Sequence, residues 1–499
     1  MPPEPPEPPE PPEPDAPALR PEPLPGEGFE RGMRRIGLYA GPIAAALAYW
    51  ASRGGKAPAE LPALMALAVV WWMTEALPAA VVSLVVACGT VLTGVATAKV
   101  AFGAFGYPLL FLFVGSFFIA EAMKAHGLGE RLAATMTSVA RTRRGLLAAV
   151  AVGAFALSLL MSNSASTAII LPVVIPIAVA SGDRRFGAAL ILSVAWGASV
   201  GGIGTPVGTP PNLIGLGELR RRGLDLDFLH WMAVGVPLGL IMLAGMIAVL
   251  WALLGVRQDS LPEAPAARRR PWSTGERSVV IAVALAMIGW LLPTFLTLLA
   301  PDTAATHWVK EHLREEVVAV LAGCSLFVLP GGRAGGAPRP ALTWPEAVRI
   351  DWGVIMLFAG GVLLGDLART TGLSAQWGRA LVDATGASST WSVTALVTGV
   401  SILLSEATSN TATATLMVPI AADLAIAAHG APFPAVLGAT LGSSFGFMLP
   451  ISTGPNAMAY STGRVTVGQM VKAGVVFDVV GFVVIVGGLR VLCPLLGLA

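Results

Sequence analysis

The sequence predicts an all-α polytopic membrane protein with about 11 transmembrane helices and two re-entrant helical hairpins, arranged as two inverted repeats. The 499-residue chain is 55% hydrophobic and only 12% charged, whereas about 25% of the residues of an ordinary soluble domain are charged. Apolar stretches of about 20 residues, enough to cross the core of a bilayer, recur along most of the chain. In addition, three blocks of the first half recur in the same order in the second half.

The chain begins with a Pro-Glu repeat. Such a composition cannot bury a core, so we expect residues 1–30 to form a solvated, disordered tail. Arg31, Arg34 and Arg35 precede the first apolar segment, and the positive-inside rule therefore places the N-terminus in the cytoplasm. The first four spans are expected to begin near Ile36, Leu61, Ala79 and Leu109.

The first re-entrant hairpin is predicted from charge. Basic residues at 140–145 and at 182–186 are both expected in the cytoplasm, and a single apolar segment lies between them. A segment that begins and ends on the same side of the membrane must enter and return. Ser162, Asn163 and Ser164 lie in its middle, so we expect them at the tip of the hairpin.

A second hairpin is predicted from about residue 390 to residue 428, with the motif SNT at residues 409–411 in its middle. Its flanks are not rich in Lys or Arg, so both ends are expected outside, and the two hairpins would enter from opposite faces. The basic loop at residues 256–277 falls in the cytoplasm on this path. The arginine cluster at residues 220–222 disagrees with the path, because it would face outside.

The repeats support this architecture. Residues 112–128 align without gaps on residues 357–373, an offset of 245. Four residues of the first hairpin recur in the second at an offset of 247, and they are Ser158, Ser162, Asn163 and Pro172, matched by Ser405, Ser409, Asn410 and Pro419. Residues 207–214 recur as residues 451–458. An odd number of spans precedes the second half, so the repeats should be inverted, as in many secondary transporters, which bind substrate where the repeats meet.

Each repeat holds two polar motifs, a hairpin tip (SNS or SNT) and a Gly/Pro-rich stretch (GTPPN or STGPN) that interrupts a helix. An interrupted helix leaves backbone groups unpaired, which a membrane tolerates only where the break faces protein, water or ligand. Hydroxyl, amide and carbonyl oxygens suit an alkali cation, and the N-termini of the half-helices suit an anion. None of the four motifs contains Lys or Arg, so bound cations would supply the positive charge that a dianion needs.

Other classes of protein are disfavoured by the sequence. A net charge of +2 gives no indication of a nucleic-acid partner, and three distant cysteines with five scattered histidines predict no zinc or redox site. An intramembrane enzyme would need a Ser/His or paired-Asp constellation that is not visible, and a channel would not need two opposed hairpins. Glu75 is interpreted as a packing or capping residue. Glu406, three residues before SNT, is the acid most worth following, although a structural role is favoured.

With these motifs the sequence resembles the divalent anion:sodium symporter family, which carries dicarboxylates, citrate and sulfate. WWMTEALP, the paired SNS and SNT, GTPPN and LPISTGPN all match the pattern of that family, and the resemblance covers roughly residues 60–495. It implies a sodium-coupled symporter of small divalent anions in the inner (plasma) membrane, with C4 dicarboxylates such as succinate, fumarate or malate favoured. It also implies a homodimer in which a transport domain slides as an elevator against a scaffold.

The resemblance further implies domains and site residues. Scaffold helices would lie at residues 31–139 and 278–389, and transport-domain segments at residues 140–255 and 390–499. Two sets of residues would bind the co-transported sodium ions, namely Ser158, Ser162, Asn163 and Gly208 in one site and Ser405, Thr408, Asn410 and Ser452 in the other. The anion would bind to Asn163, Ser164, Thr209, Asn410, Thr411, Thr453 and Gly454.

Two departures from the family pattern bear on the substrate. The first tip has Ser164 where dicarboxylate carriers usually have Thr, so a methyl group is lost beside the anion and sulfate becomes more plausible. The second interruption has Gly454 where the pattern usually has Pro, which would loosen that helix break. A sulfate carrier and a sodium-independent dicarboxylate exchanger therefore remain as alternatives.

Overall fold

The protein is predominantly helical in a computed structural model, which describes residues 27–55, 57–256, 271–334, 337–374, 376–377, 379–380, 386 and 389–498. The first helix, α1, begins at Glu27, so most of the predicted Pro-Glu tail lies outside the described residues. Most of the predicted loop at residues 256–277 also lies outside them.

The helices follow the expected order of spans and hairpins. Their bounds are α1 Glu27–Ser52, α2 Glu60–Met73, α3 Ala79–Leu92, α4 Ala98–Gly103, α5 Leu109–Ala125, α6 Leu128–Val139, α7 Arg143–Ser158, α8 Asn163–Ala180, α9 Arg184–Gly202, α10 Pro210–Arg221, α11 Phe228–Leu253, α12 Thr274–Leu299, α13 Ala304–His312, α14 Glu315–Ser325, α15 Trp344–Ala347, α16 Trp352–Thr370, α17 Thr390–Ala407, α18 Asn410–Ala427, α19 Pro432–Gly442, α20 Gly454–Ser461 and α21 Val467–Leu495. A 3-10 turn, Ala104–Gly106, links α4 to α5, and an antiparallel pair of strands, β1 Pro330–Ala334 and β2 Ala337–Pro340, lies between α14 and α15.

Nine helical segments of the described residues are long and apolar enough to cross a membrane, so the chain is a multi-pass membrane protein of the predicted all-α class. Three of the nine are arms of the two hairpins: α8, α17 and α18. The described residues also contain shorter apolar helices. For example, α2 and α3 have 14 residues each, and such a helix reaches about 21 Å through a core about 30 Å thick.

The first hairpin folds back on itself as the charge pattern predicts. Its arms are α7 and α8, and α8 begins because the side chain of Ser162 caps the helix by accepting a hydrogen bond from the backbone N–H of Ala165 (3.3 Å). An ion pair between Arg143 and Asp183 (2.9 Å) brings the two ends of the hairpin together. The chain therefore leaves the hairpin beside the point at which it entered.

The second hairpin has the same design. Its arms are α17 and α18, and the hydroxyl of Ser409 caps α18 by accepting a hydrogen bond from the backbone N–H of Ala412 (3.2 Å). Its ends are joined at Thr390, whose hydroxyl accepts a hydrogen bond from the N–H of Ala431 (3.2 Å).

In each repeat an interrupted helix follows the hairpin. The first consists of α9 and α10 with residues 203–209 between them, and the second consists of α19 and α20 with residues 443–453 between them. In each interrupted helix a threonine precedes the helix that follows the interruption: Thr209 precedes α10, and Thr453 precedes α20. A long last helix, α11 or α21, then completes each repeat, so the order of elements confirms the internal repetition.

Glycines let each interrupted helix lie directly on its hairpin. A Cβ at Gly201 of α9 would lie 2.3 Å from the carbonyl oxygen of Phe155 in α7, and a Cβ at Gly442 of α19 would lie 2.8 Å from that of Thr398 in α17. Small residues permit such close backbone approach between membrane helices. This packing holds each tip motif against the interruption of its own repeat.

The arginine cluster that disagreed with the predicted topology is buried and paired. Arg220 contacts Glu315 of α14 (2.5 Å), and Arg222 contacts Asp423 of α18 (2.6 Å). The side chains of Arg220 and Arg222 are at most 10% exposed. Because neighbouring carboxylates neutralise these arginines, the cluster is a poor guide to the side of the membrane on which it lies.

Candidate functional site

The tip of the first hairpin gathers oxygen atoms. Ser158 is fully buried at the end of α7, and its hydroxyl donates a hydrogen bond to Oδ1 of Asn163 (2.8 Å) at the start of α8. The backbone of α9 packs directly against this pair of oxygens, because a Cβ at Gly202 would lie 2.2 Å from the same Oδ1.

The second tip repeats this arrangement. The hydroxyl of Ser405, also fully buried, lies 2.9 Å from Oδ1 of Asn410 and 2.7 Å from the carbonyl oxygen of Ser443 in the second interruption. The hydroxyl of Thr408 is buried and has no hydrogen-bond partner among the described residues. The oxygens of Ser405, Asn410 and Ser443 thus meet behind the tip, and such a donor set fits a sodium ion.

Asn212 holds the first interruption in shape. Its side-chain amide donates hydrogen bonds to the carbonyl oxygens of Gly202 (2.8 Å) and Thr205 (2.7 Å). Gly208 packs against the first tip, since a Cβ there would lie 2.5 Å from the oxygen of Gly202 and 2.8 Å from that of Ser158. A side chain at position 208 would therefore separate the interruption from the tip.

Asn456 plays the equivalent part in the second interruption. Its amide nitrogen donates to the carbonyl oxygens of Gly446 (2.7 Å) and Leu449 (3.0 Å). Its Oδ1 accepts a hydrogen bond from the indole of Trp196 (3.1 Å), which belongs to α9 of the first repeat. The second interrupted helix is therefore joined to α9 of the first repeat as well as to its own tip.

Asn212 and Asn456 were not among the residues predicted for the site, although a signal for them exists. The chain contains four asparagines, and every one of them lies in one of the four polar motifs. Because Asn offers both donors and an acceptor, it can satisfy the backbone groups that an interrupted helix leaves free.

A cavity of about 380 Å³ lies between the two tips and the two interruptions. It is lined by all seven residues predicted to contact the anion: Asn163, Ser164, Thr209, Asn410, Thr411, Thr453 and Gly454. Of the residues predicted for sodium, Ser162, Asn163, Asn410 and Ser452 also line it. Ser158, Gly208, Ser405 and Thr408 do not line the cavity, and the structure puts Ser158 and Ser405 behind the tips.

Four helices begin at this cavity. The first residues of α8, α10, α18 and α20, which are Asn163, Pro210, Asn410 and Gly454, all line it. Each helix N-terminus carries about half a positive elementary charge, because the peptide dipoles of a helix align along its axis. Four such ends together present about two positive charges to the cavity.

The lining of the cavity also contains charged residues. Glu75, Glu121, Arg349 and Asp351 line it, and Glu75 forms an ion pair with Arg34 (3.1 Å). Glu75 thus faces the cavity, whereas we interpreted it as a packing or capping residue. Arg349 and Asp351 lie outside every polar motif, so no pattern in the sequence indicated them.

Glu406 has a structural role at the second interruption. It is 4% exposed, and its carboxylate accepts hydrogen bonds from the backbone N–H groups of three consecutive residues, Phe447, Met448 and Leu449. This carboxylate thereby satisfies part of the backbone that the interruption leaves unpaired.

Two repeats of hairpin and interrupted helix that meet around one polar cavity define the class of secondary membrane transporters. Comparison with known proteins gives the family. The chain belongs to the citrate transporter family, whose family model matches residues 69–442, and this agrees with the expected divalent anion:sodium symporter membership.

Relatives of known name cover most of the chain. This chain is 29% identical over 439 residues to a sodium-dependent dicarboxylate transporter, SdcS, of Staphylococcus saprophyticus. The aligned region covers 83% of this chain and 82% of that protein. This chain is also 28% identical over 477 residues to SdcS of Staphylococcus aureus, and that aligned region covers 90% of this chain and 89% of that protein. The Alcanivorax borkumensis YdaH transporter has a similar fold, with a TM-score of 0.51 at 15% identity, over 82% of this chain and 87% of that one.

Proposed function

We propose that this chain is a sodium-coupled symporter of small divalent anions, with C4 dicarboxylates such as succinate as its substrates, and that it is not an enzyme. The observation that carries the proposal is the convergence of four helix N-termini on one cavity. Their combined charge of about two elementary charges matches a dianion. The staphylococcal relatives, which are named sodium-dependent dicarboxylate transporters, support the same cargo.

Sodium ions would bind behind the tips, where hydroxyl, amide and carbonyl oxygens already lie close together. The hydroxyl of Ser158 donates to Oδ1 of Asn163 (2.8 Å), and that of Ser405 to Oδ1 of Asn410 (2.9 Å). A cation would replace each of these hydrogen bonds by drawing the lone pairs of both oxygens toward itself. Each asparagine stands between a sodium site and the cavity, so occupancy by sodium would fix the tip that the anion contacts.

The two positions at which the chain departs from the family pattern lie side by side at the cavity. Gly454 lies against Ser164, since a Cβ at position 454 would lie 2.5 Å from the hydroxyl oxygen of Ser164. The hydroxyl of Ser164 therefore occupies the space that a side chain at position 454 would fill. What favours a dicarboxylate over sulfate is that the staphylococcal relatives are named dicarboxylate transporters.

The proposal includes an orientation and an assembly. With the N-terminus in the cytoplasm and the protein in the inner membrane, the cavity would open inward, because Glu75 in its wall pairs with Arg34 near the start of α1. Release to the other side would follow when the hairpins and interrupted helices slide as a transport domain against the scaffold. The scaffold would form the contact of a homodimer, and no nucleic acid is involved.

The test is uptake of labelled succinate into proteoliposomes with an inward sodium gradient, and with choline in place of sodium. Wild type would be compared with Asn163→Ala and Asn410→Ala, each of which removes an oxygen shared by cation and anion. Ser325→Ala serves as a matched control, because among the described residues this hydroxyl at the end of α14 bonds to Ala322 in its own helix and to no other group (2.7 Å). We expect sodium-dependent uptake in wild type and in the control, and loss of more than tenfold in both asparagine variants.

Two outcomes would favour the alternatives. Uptake that persists in choline but requires internal dicarboxylate would identify an exchanger and contradict the sodium sites. Uptake of labelled sulfate without uptake of succinate would identify a sulfate carrier.

A further inference from the structure

The arginine cluster lies at the opposite end of α10 from the cavity. Pro210, the first residue of α10, lines the cavity, and Arg221 is the last of its 12 residues. A helix of that length extends about 18 Å. Because the proposed opening of the cavity is inward, the cluster lies toward the outer face of the membrane. The path predicted from the sequence also puts residues 220–222 outside.

One arginine of the cluster pairs within the proposed transport domain. Arg222 contacts Glu218 of its own helix and Asp423 of α18, both at 2.6 Å. The helices α10 and α18 both belong to the segments proposed for the transport domain. These two ion pairs therefore stay intact when that domain moves as a unit.

The other two arginines pair with helices of the proposed scaffold. Arg220 contacts Glu315 (2.5 Å) and Glu316 (3.4 Å) of α14. Arg221 contacts Asp366 of α16 (3.5 Å). Both arginine side chains are at most 9% exposed. Buried charges of opposite sign separate at a large cost unless water or new partners replace the lost contacts, so these pairs oppose movement of α10 past α14 and α16.

Glycines lie on both sides of the surface between α10 and α16. A Cβ at Gly217 of α10 would lie 2.9 Å from the ring of Phe358 in α16, and a Cβ at Gly365 of α16 would lie 3.4 Å from Nη2 of Arg221. Small residues let membrane helices lie close together without interlocking side chains. Such a surface changes little when one helix slides along the other, whereas an ion pair is lost. The ion pairs are therefore the contacts that distinguish one position of α10 from another.

The two crossing arginines are incompletely hydrogen-bonded. Nε of Arg220 and Nη1 of Arg221 are buried without a hydrogen-bond partner among the described residues. A polar network holds one arrangement rigidly when every member is satisfied. The spare donors let these arginines gain partners in another position of α10, so the contact is suited to break and re-form.

We propose that Arg220 and Arg221, with their acids on α14 and α16, form an outer gate that holds the transporter in its inward-open state. The inference rests on the proposed function, because it requires a transport domain that moves against a scaffold. In the inward-open state the crossing pairs are formed and buried. When the transport domain moves outward, α10 slides past α14 and α16, the pairs separate and water enters between them. The gate thereby sets the population of the outward-open state, which takes up the anion from outside.

The test variant is Glu315→Gln/Asp366→Asn, which removes one acid from each crossing arginine. Each of these arginines keeps a second acid, Glu316 or Glu218, so neither becomes an unpaired buried charge. Asp423→Asn is the matched control. It removes one acid from the arginine that pairs within the transport domain, and that arginine also keeps Glu218.

The measurement is the labelling rate of a cysteine in the cavity. Ile451 lines the cavity at the second interruption and is 42% exposed, so Ile451→Cys places a reactive thiol there. Cys88 and Cys324 are exposed and are replaced by serine, whereas Cys493 is buried and is kept. A membrane-impermeant maleimide added outside spheroplasts reaches the new thiol in the outward-open state only.

We expect labelling from outside to be at least tenfold faster in Glu315→Gln/Asp366→Asn than in the parent cysteine variant. Labelling of Asp423→Asn should match that of the parent within about twofold. Sodium-dependent succinate uptake shows that each variant is folded. If the double variant does not fold, Asp366→Asn alone takes its place, because the side chain of Asp366 is 40% exposed and tolerates the change. Its labelling should be about threefold faster than that of the parent.

Unchanged or slower labelling of a transport-active test variant would overturn the proposal. An equal acceleration in Asp423→Asn would also overturn it, because the effect would then not depend on pairs that cross to the scaffold. Failure of wild type to take up succinate with sodium would instead contradict the proposed function, so the two failures are distinguishable.

Discussion

Ser164 and Gly454 are in direct contact across the cavity, although 290 residues separate them in the chain. A Cβ at position 454 would lie 2.5 Å from Oγ of Ser164 but 3.5 Å from its Cβ. The tip of the first hairpin thus meets the second interruption, and the two positions at which the chain departs from its family pattern form one contact.

This contact predicts that substitutions at the two positions are coupled. Gly454→Ala alone should reduce succinate uptake at least tenfold, because the new methyl group overlaps the Ser164 hydroxyl, and overpacking typically costs about 1–3 kcal/mol. Ser164→Ala removes that oxygen, so the double variant should regain much of the uptake. Initial rates of succinate uptake by wild type, the two single variants and the double variant provide a double-mutant cycle. Strictly additive losses would show that the two positions do not interact.

Glu406 and Asp478 should differ in their effect on stability. Glu406→Gln replaces one of the two carboxylate oxygens by an NH2 donor, so at least one of the three backbone N–H groups loses its acceptor, and leaving a buried donor unsatisfied costs about 1–3 kcal/mol. Asp478, in α21, has no hydrogen-bond partner among the described residues, so Asp478→Asn should leave the protein at least as stable as wild type. Thermal unfolding in detergent, followed by the fluorescence of the tryptophans, compares the two variants. Equal losses of stability would contradict this account of Glu406.

The buried arginine cluster at the end of α10 should be important for stability. Arg220 contacts both Glu315 and Glu316 of α14, and its side chain is 9% exposed. Removal of one member of a buried ion pair typically costs about 3–5 kcal/mol, so Arg220→Gln should be strongly destabilised.

Arg314→Gln is the control for this prediction. Arg314 also contacts Glu316 (3.3 Å), but its side chain is 45% exposed, so its loss should cost no more than about 1 kcal/mol. Unfolding temperatures that fall equally in Arg220→Gln and Arg314→Gln would mean that burial does not strengthen the network.

Arg349 should strengthen binding of the anion by long-range electrostatic attraction. It is exposed and is the one basic side chain that lines the cavity among the described residues. Arg349→Gln should raise the Kd for succinate about three- to tenfold at low ionic strength, and the difference should vanish near 1 M choline chloride, where the Debye length is about 3 Å. Calorimetry in detergent at constant sodium measures both values.

Arg369→Gln provides the matched control, because Arg369 is also exposed but pairs with Asp366 and does not line the cavity. Its Kd should equal that of wild type. A salt-independent effect of Arg349→Gln would indicate a direct contact with the anion.

The sequence by itself predicted the fold class, the two hairpins and the four polar motifs. Each of these depends on local composition or on similarity between the halves: apolar length predicts a membrane helix, and polar residues inside an apolar run mark the place where a helix ends. The seven predicted anion contacts all line one cavity, because each motif contains both the cap of a helix and its first residue.

Only the tertiary structure decided which motifs touch. The contact between Ser164 and Gly454, the pairing of the arginines of α10 and the hydrogen bond from Trp196 to Asn456 join residues far apart in the chain. Local sequence specifies where a helix starts and stops, but the partner of a buried charge depends on how the helices pack. That packing is fixed by close approaches of small residues in both repeats, whose combined geometry no single segment of the sequence contains.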